Sequence, residues 1–211
     1  MILPSAELQS AMAARNSTGI QEKLKSGKVA VAGLGGLGSN IAVMLARIGV
    51  GKLLLVDFDK VEPSNLNRQH YNLTHLGMYK TEALKSQLEQ INPFVETEII
   101  TEKITEENAL EIFAGYTIVC EAFDRAQNKA ILVNALLEKG GKKVIAASGM
   151  NGFESSNKIK TRRIFANLYV CGDSVAAAQE GIGFMAPRVG ICAGHQANLA
   201  LRLLLGIEED S

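Results

Sequence analysis

Residues 29 to 46 read VAVAGLGGLGSNIAVMLA, 18 positions without a charge. Length and hydrophobicity alone reach the threshold for a membrane span. Four of the six positions from 33 to 38 are glycine, however, and each costs a helix about 1 kcal/mol relative to alanine. A strand, a glycine turn and a new helix satisfy the same stretch at no such cost. A strand that runs through glycines into a helix is the opening unit of a doubly wound parallel sheet, and it constrains everything after it. With the span removed, and with no continuous apolar core in the first 25 residues of the kind a secretory signal needs, the expectation is a soluble, cytoplasmic protein.

The alternation continues. Strands are predicted at 28–33, 52–57 (KLLLVD), 96–100, 116–121 (YTIVCE) and 143–147 (KVIAA). Helices are predicted at 39–48, 77–91, 106–113 and 126–138. The second strand, KLLLVD, has a continuous apolar run, as expected when both sheet faces are covered. After Ser148 the pattern changes. Residues 149–160 read as a polar loop, 161–165 and 168–171 as two short strands about a turn at Ala166–Asn167, 172–186 as a loop, and 187–205 as a final helix ended by Gly206. Two helical pieces over 5–25, broken near Asn16–Gly19, precede the first strand. The predicted fold class is α/β: a mainly parallel, Rossmann-like sheet with helices on both faces and a short antiparallel extension at its C-terminal edge. A chain of 211 residues, against about 150 per domain, fits a helical arm over 1–27 and one domain over 28–211.

Composition narrows the partners. Lys+Arg and Asp+Glu both number 22, which argues against sequence-independent binding along a nucleic-acid backbone. Cys120, Cys171 and Cys192 are too few and scattered for a disulfide framework. No C-x-x-C pair occurs, so a four-cysteine zinc site within one chain is excluded. No nucleic acid, membrane or zinc is expected.

Gly33-Leu34-Gly35-Gly36-Leu37-Gly38 fits G-x-G-x-x-G between a predicted strand and a predicted helix. The glycines let backbone approach a phosphate, and the helix start supplies free N–H groups for the anion. Ser39 adds a hydroxyl. Asp57, at the end of the second strand, is placed to hold a ribose. A glycine turn with no ligand is the bland alternative, and the motif alone does not separate NAD from ATP. The run that follows is dense in polar residues: DFDKVEPSNLNRQ, residues 57–69. Arg68 and Lys80 are cations positioned to reach a triphosphate at the glycine loop, where charge builds in a phosphoryl-centred reaction. Asp124 follows the fourth strand. It is either a magnesium ligand beside the phosphates or a cap for the next helix.

These motifs together resemble the ThiF/MoeB/HesA family, bacterial relatives of ubiquitin-activating enzymes. The resemblance rests on GLGGLGS, on the 57–69 run, on G-x-x-K at Gly77–Lys80 and on the Asp after the fourth strand, and it spans roughly 15–206. The short length and MAPRVGICAGHQANLALRLLLG are most similar to the compact ThiF branch found with thiamine biosynthesis. The resemblance implies an adenylyltransferase. Its activity is ATP-dependent adenylation of the C-terminal Gly-Gly carboxylate of a ubiquitin-like sulfur carrier, ThiS-like, with release of pyrophosphate. It also implies a site. Gly33, Gly35, Gly36, Gly38 and Ser39 surround the phosphates, and Asp57 holds the ribose. Asp59, Asn65, Arg68 and Gln69 complete the nucleotide site. Lys80 stabilises the α-phosphate, Asp124 holds Mg²⁺, and Arg15 reaches ATP from the other subunit of a homodimer. Two departures stand out. The paired C-x-x-C motifs of many members are absent, so the final helix must be held by packing of Leu199, Leu201, Leu203, Leu204 and Leu205. Arg125 stands where the family usually has Asn, and it either pairs with Asp124 or adds a phosphate contact.

Cys120 and Cys192 read as core, and Cys171, at a strand end beside a loop, as the one thiol with a plausible reactive role. His70, His75 and His195 lack metal-ligand spacing and read as structural. Lys158, Lys160, Arg162 and Arg163 face only Glu154 in the 153–168 segment. That run is either a solvated strand face or a guide for an acidic carrier, with the 172–183 loop over the carrier's tail. Two other functional readings stand beside adenylation: a pseudoenzyme that docks carrier or nucleotide, and an NAD-dependent oxidoreductase.

Overall fold

The computed structural model describes residues 5–174 and 181–208. Its centre is one seven-stranded sheet. The strands are β1 (Lys28–Ala32), β2 (Lys52–Val56), β3 (Glu96–Ile100), β4 (Ile118–Glu121), β5 (Lys143–Ala147), β6 (Lys160–Phe165) and β7 (Leu168–Gly172). Their order is β3-β2-β1-β4-β5-β7-β6. All neighbours pair in parallel except β6 with β7. The Rossmann-like α/β architecture and its antiparallel C-terminal pair are as the sequence predicts. The hairpin folds so that β7 lies inside the sheet and β6 forms its edge, where Lys160, Arg162 and Arg163 guard the unpaired strand.

Strand alternation explains the continuous apolar runs. Val29, Val31, Leu53 and Leu55 enter one core with helices α3 (Gly36–Ile48), α4 (Lys80–Ile91) and α7 (Ala186–Leu204). Ala30, Ala32, Leu54 and Val56 enter a second core with α5 (Glu106–Ile112) and α6 (Ala126–Glu138). Successive side chains point to opposite faces, so both registers of the central strands β1 and β2 are apolar. α7 buries Val189, Cys192, Ala193, Gln196, Ala197, Ala200 and Leu203, one face at helical spacing. Of the expected leucines, Leu199 and Leu203 are buried, and Leu201 and Leu204 pack partly buried against the core. Gln196 Nε2 donates to the carbonyls of Glu121 and Ile145, both at 2.9 Å, and so fastens the helix across β4 and β5.

The N-terminal arm is two helices, α1 (Ser5–Ala13) and α2 (Gln21–Ser26). No α1 side chain is buried. Asn16 Nδ2 donates to the Ile48 carbonyl at 3.1 Å, which ties the arm to the C-terminal end of α3. Three element starts differ from the sequence expectation by two residues or more. α3 starts at Gly36, because Gly35 takes the cap position. α4 starts at Lys80, because Gly77 has φ +82° and cannot continue a helix. β4 starts at Ile118, because the Tyr116 N–H donates to the Phe113 carbonyl at 3.1 Å in the turn that follows α5. The expected 172–186 loop begins with Gly172 inside β7, and its residues 175–180 lie outside the described residues. No helix among the described residues is long and apolar enough to cross a membrane.

Candidate functional site

The strand order reverses between β1 and β4, and ligands of such sheets bind at the carboxyl ends of the strands beside that point. A cavity of about 1140 Å³ opens there. Its floor is the glycine loop. Gly33 has φ +89°, a conformation that glycine adopts without strain. A Cβ on Gly38 would sit 1.8 Å from the Gly33 carbonyl oxygen, so only glycine lets α3 start this close to β1. Asp57, at the end of β2, fixes the loop: its Oδ2 accepts the Leu34 N–H at 2.6 Å and its Oδ1 the Asp59 N–H at 2.8 Å. Burial pushes the Asp57 carboxyl above its ordinary value, opposed by the Lys80 ammonium and the two N–H donors. The Tyr71 hydroxyl donates to the Leu34 carbonyl at 2.9 Å and lies 3.4 Å from that of Lys80.

The expected site residues divide into two groups. Gly33, Gly35, Gly36, Asp57, Asp59, Arg68, Gln69, Lys80 and Asp124 line the one cavity. Lys80 is buried, and its Nζ donates to Asp59 Oδ2 at 2.9 Å. Arg68 donates to the Ser64 carbonyl and Asn67 Oδ1, and lies 5.7 Å from the Phe184 ring centroid. Among the described residues, the buried Gln69 Oε1 has no hydrogen-bond partner. A Cβ on Gly36 would meet Val189 Cγ1 at 3.0 Å and Arg68 Cγ at 3.4 Å, so the glycine keeps this cradle open.

Gly38, Ser39, Asn65 and Arg15 are not among the lining residues. Ser39 Oγ donates to the Gly35 carbonyl at 2.7 Å and accepts the His70 N–H at 2.9 Å. Asn65 Oδ1 accepts the Glu62 N–H, and its carbonyl accepts the N–H groups of Arg68 and Gln69. Both therefore shape the loop that presents Arg68 and Gln69. Arg15 is exposed and adjoins Asn16, which bonds the end of α3 remote from the glycine loop.

Asp124 and Arg125 both line the cavity, exposed, and make no ion pair with each other or with other described residues. Arg125 is the N-cap residue of α6. The loop that carries both follows Glu121, a buried carboxylate that accepts the Phe123 N–H at 2.7 Å and pairs with Lys129. Burial raises the Glu121 carboxyl, opposed by Lys129.

Cys171 requires a correction. It is fully buried, because β7 is an interior strand beneath α7, and its Sγ lies 3.6 Å from Thr161 Oγ1. Cys120 and Cys192 are buried as expected; burial lifts the Cys192 thiol to about 12 and the Cys120 thiol well above its ordinary range. All three are free. The histidines have structural contacts: His70 with Gln87 at 3.0 Å, His75 with the Asn72 N–H at 3.1 Å, and His195 with Thr161 at 3.0 Å. The basic run is largely paired internally. Lys158 bonds Glu154, Arg163 bonds Glu208, and Arg162 bonds the Gly172 carbonyl and Ser174. Tyr71, Phe184 and Arg188 carry no signal in the sequence; their partners are brought close only by the fold.

Fold and cavity define a doubly wound α/β protein with a glycine-loop site at its topological switch point. The chain belongs to the ThiF family, whose model matches residues 7–211. A curated relative, the adenylyltransferase and sulfurtransferase UBA4 of Kluyveromyces lactis, is 34% identical over 194 residues, covering 89% of this chain and 43% of the relative. UBA4 of Candida glabrata is 34% identical over 195 residues, covering 89% and 44%. The chain thus spans less than half the length of these relatives. Among solved structures, the E. coli tRNA N6-threonylcarbamoyladenosine dehydratase TcdA in complex with ATP superposes with a TM-score of 0.85 at 21% identity, covering 98% of both chains. E. coli MccB with AMPCPP and MccA superposes with a TM-score of 0.70 at 26% identity, covering 88% of this chain and 58% of MccB.

Proposed function

We propose that this chain transfers the adenylyl group of ATP to a carboxylate, that of a ubiquitin-like carrier ending in Gly-Gly. The observation that carries the reading is the convergence of the glycine loop, Asp57, Arg68 and Lys80 on one cavity. At about 1140 Å³ it exceeds the usual range of about 300–1,000 Å³ for a small-ligand site, which leaves room for a second reactant. Membership of the ThiF family and the adenylyltransferase name of the UBA4 relatives support the same chemistry. A carboxylate oxygen bonds the α-phosphorus while the bond to pyrophosphate breaks.

The protein's share is positioning and charge. The α3 N-terminus and the open cradle at Gly36 receive phosphate oxygens. Lys80, held by Asp59, offsets charge at the α-phosphate, and Arg68, stacked on Phe184, offsets it on the leaving pyrophosphate. Asp57 and Gln69 hold the nucleoside end and the loop. The donor set suits magnesium: Asp124 is an exposed carboxylate lining the cavity and takes part in no ion pair among the described residues. Mg²⁺ is commonly bound by one or two carboxylates plus substrate phosphates, and it would neutralise charge on them. Arg15 completes the site from the second subunit of a homodimer. Three cysteines, too few and scattered for a disulfide framework, support a reducing, cytoplasmic setting. ThiS, the carrier of thiamine biosynthesis, is the first partner to test. The names of the relatives support activation chemistry without selecting that pathway. ATP–pyrophosphate exchange with and without ThiS tests the reading: carrier-dependent exchange supports it, ATP binding with no exchange for any Gly-Gly carrier makes the chain a binding protein, and binding of NAD but not ATP makes it an oxidoreductase.

A further inference from the structure

One buried ion pair outside the glycine-loop half of the cavity breaks a helix rule. Arg188 sits in the first turn of α7, after Ala186 and Pro187, and is 3% exposed. A cation there faces the positive end of the helix dipole, and its burial is unfavourable unless it is paired and hydrogen-bonded. Both terminal nitrogens are committed. Nη2 pairs with Asp173, and Nη1 donates to the carbonyls of Glu154 and Ser155 at 2.5 and 3.0 Å.

Asp173 is itself tied down. Its N–H donates to the Gly149 carbonyl at 2.9 Å, and the next N–H, of Ser174, to the Ser148 carbonyl at 3.3 Å. A single guanidinium thus joins three segments: the start of α7, residues 148–155 and the end of β7. Ser148, Gly149, Glu154, Asp173 and Ser174 all line the cavity on the β5–β7 side, across from Asp57. Of the partners of Arg188, Glu154 and Asp173 lie in that wall, Ser155 directly follows it, and none lies in the glycine loop. A residue that opposes the dipole and the desolvation penalty is expected where local geometry is held for function.

We propose that Arg188 and Asp173 are the positioning pair of the acyl-substrate half of the cavity. They hold 148–155 as the wall against which the carboxyl-terminated substrate is seated, and they do so without contact to the nucleotide. The proposal rests on the adenylation reading for its substrate, and on the hydrogen bonds alone for its mechanical claim.

The test uses the full chain with Arg188→Met combined with Asp173→Asn, which leaves no charge buried without a partner, and Arg188→Met alone as the second variant. Amide hydrogen exchange should accelerate at least about tenfold over 149–155 and 173–174, with peptides over 33–40 unchanged. With purified ThiS as the probe, KM for the carrier should rise about tenfold, while the Kd for ATP stays within about twofold and kcat within about threefold. Unchanged amide exchange over 149–155 with unchanged KM overturns the proposal. So does a Kd for ATP that rises in step with KM, because the pair would then serve the whole fold. If the wild-type chain shows no ThiS-dependent turnover, the carrier reading fails, and the amide-exchange comparison still decides the positioning claim.

Discussion

The Tyr71 hydroxyl offers a clean perturbation of the glycine loop. Tyr71→Phe removes one oxygen and leaves a ring that is 7% exposed and packs edge-on to His75 at 6.2 Å. The lost bond is the 2.9 Å contact to the Leu34 carbonyl, between the first two glycines of the motif. A typical hydrogen bond contributes about 1 kcal/mol net, and a buried acceptor left unsatisfied costs about 1–3 kcal/mol. The Leu34 N–H still bonds Asp57 at 2.6 Å, so the loop keeps one anchor and the lower half of that range applies. Urea denaturation should therefore give a loss of about 1–2 kcal/mol with an unchanged m-value. A loop held at one point instead of two binds phosphate with less preorganisation. ATP affinity by calorimetry should fall about tenfold, the equivalent of about 1.4 kcal/mol. A stability change under about 0.3 kcal/mol together with unchanged affinity would refute the assignment of Tyr71 as a support of the loop.

Three further outcomes follow from the same geometry. Lys80→Met should cut pyrophosphate exchange by roughly 10³-fold yet lower stability by under about 1 kcal/mol, because the Asp59 side chain left behind is 50% exposed; activity and melting temperature measured side by side check the separation. Burial raises the Asp57 carboxyl above 3.8. The proton-bound form therefore favours the fold: this stability is present below the unfolded value and lost as pH rises through the folded one. Ribose binding needs the ionised form, so ATP affinity titrated downward from about pH 8 should weaken at a higher pH than an ordinary aspartate would produce. A profile that turns over only near 3.8 contradicts this. Finally, none of the three thiols should react with Ellman's reagent in the native state, all should react after denaturation, and Cys171→Ala should retain adenylation; rapid native labelling would show that Cys171 is accessible after all.

The parts of this molecule that were legible in the sequence are those set by neighbours along the chain. The strand–glycine–helix unit, the central strands apolar on both registers and the Asp at the end of β2 all depend on local pattern, and they place Gly33, Asp57, Arg68, Lys80 and Asp124 at one sheet edge. What was not legible depends on distant partners. Tyr71 finds its acceptor 37 positions away and Arg188 finds Glu154 34 positions away. Cys171 reads as a strand end beside a loop, but its burial is decided by β7 lying between β5 and β6 under α7. The basic run at 158–163 reads as a free surface charge, yet Glu154 and Glu208 neutralise part of it in space. Ser39 and Asn65 carry the polar groups a phosphate site needs, and the fold uses those groups to brace the residues that line it.

The central claim is that this cavity activates a carboxylate with ATP. Its most direct test is ATP–pyrophosphate exchange by the purified chain, with a Gly-Gly-terminated carrier such as ThiS and with the same carrier lacking its last two residues. Exchange with the intact carrier, none with the truncated one and none from Lys80→Met is the predicted result. Exchange that is indifferent to the carrier terminus, or ATP binding without exchange for any carrier ending in Gly-Gly, would contradict it.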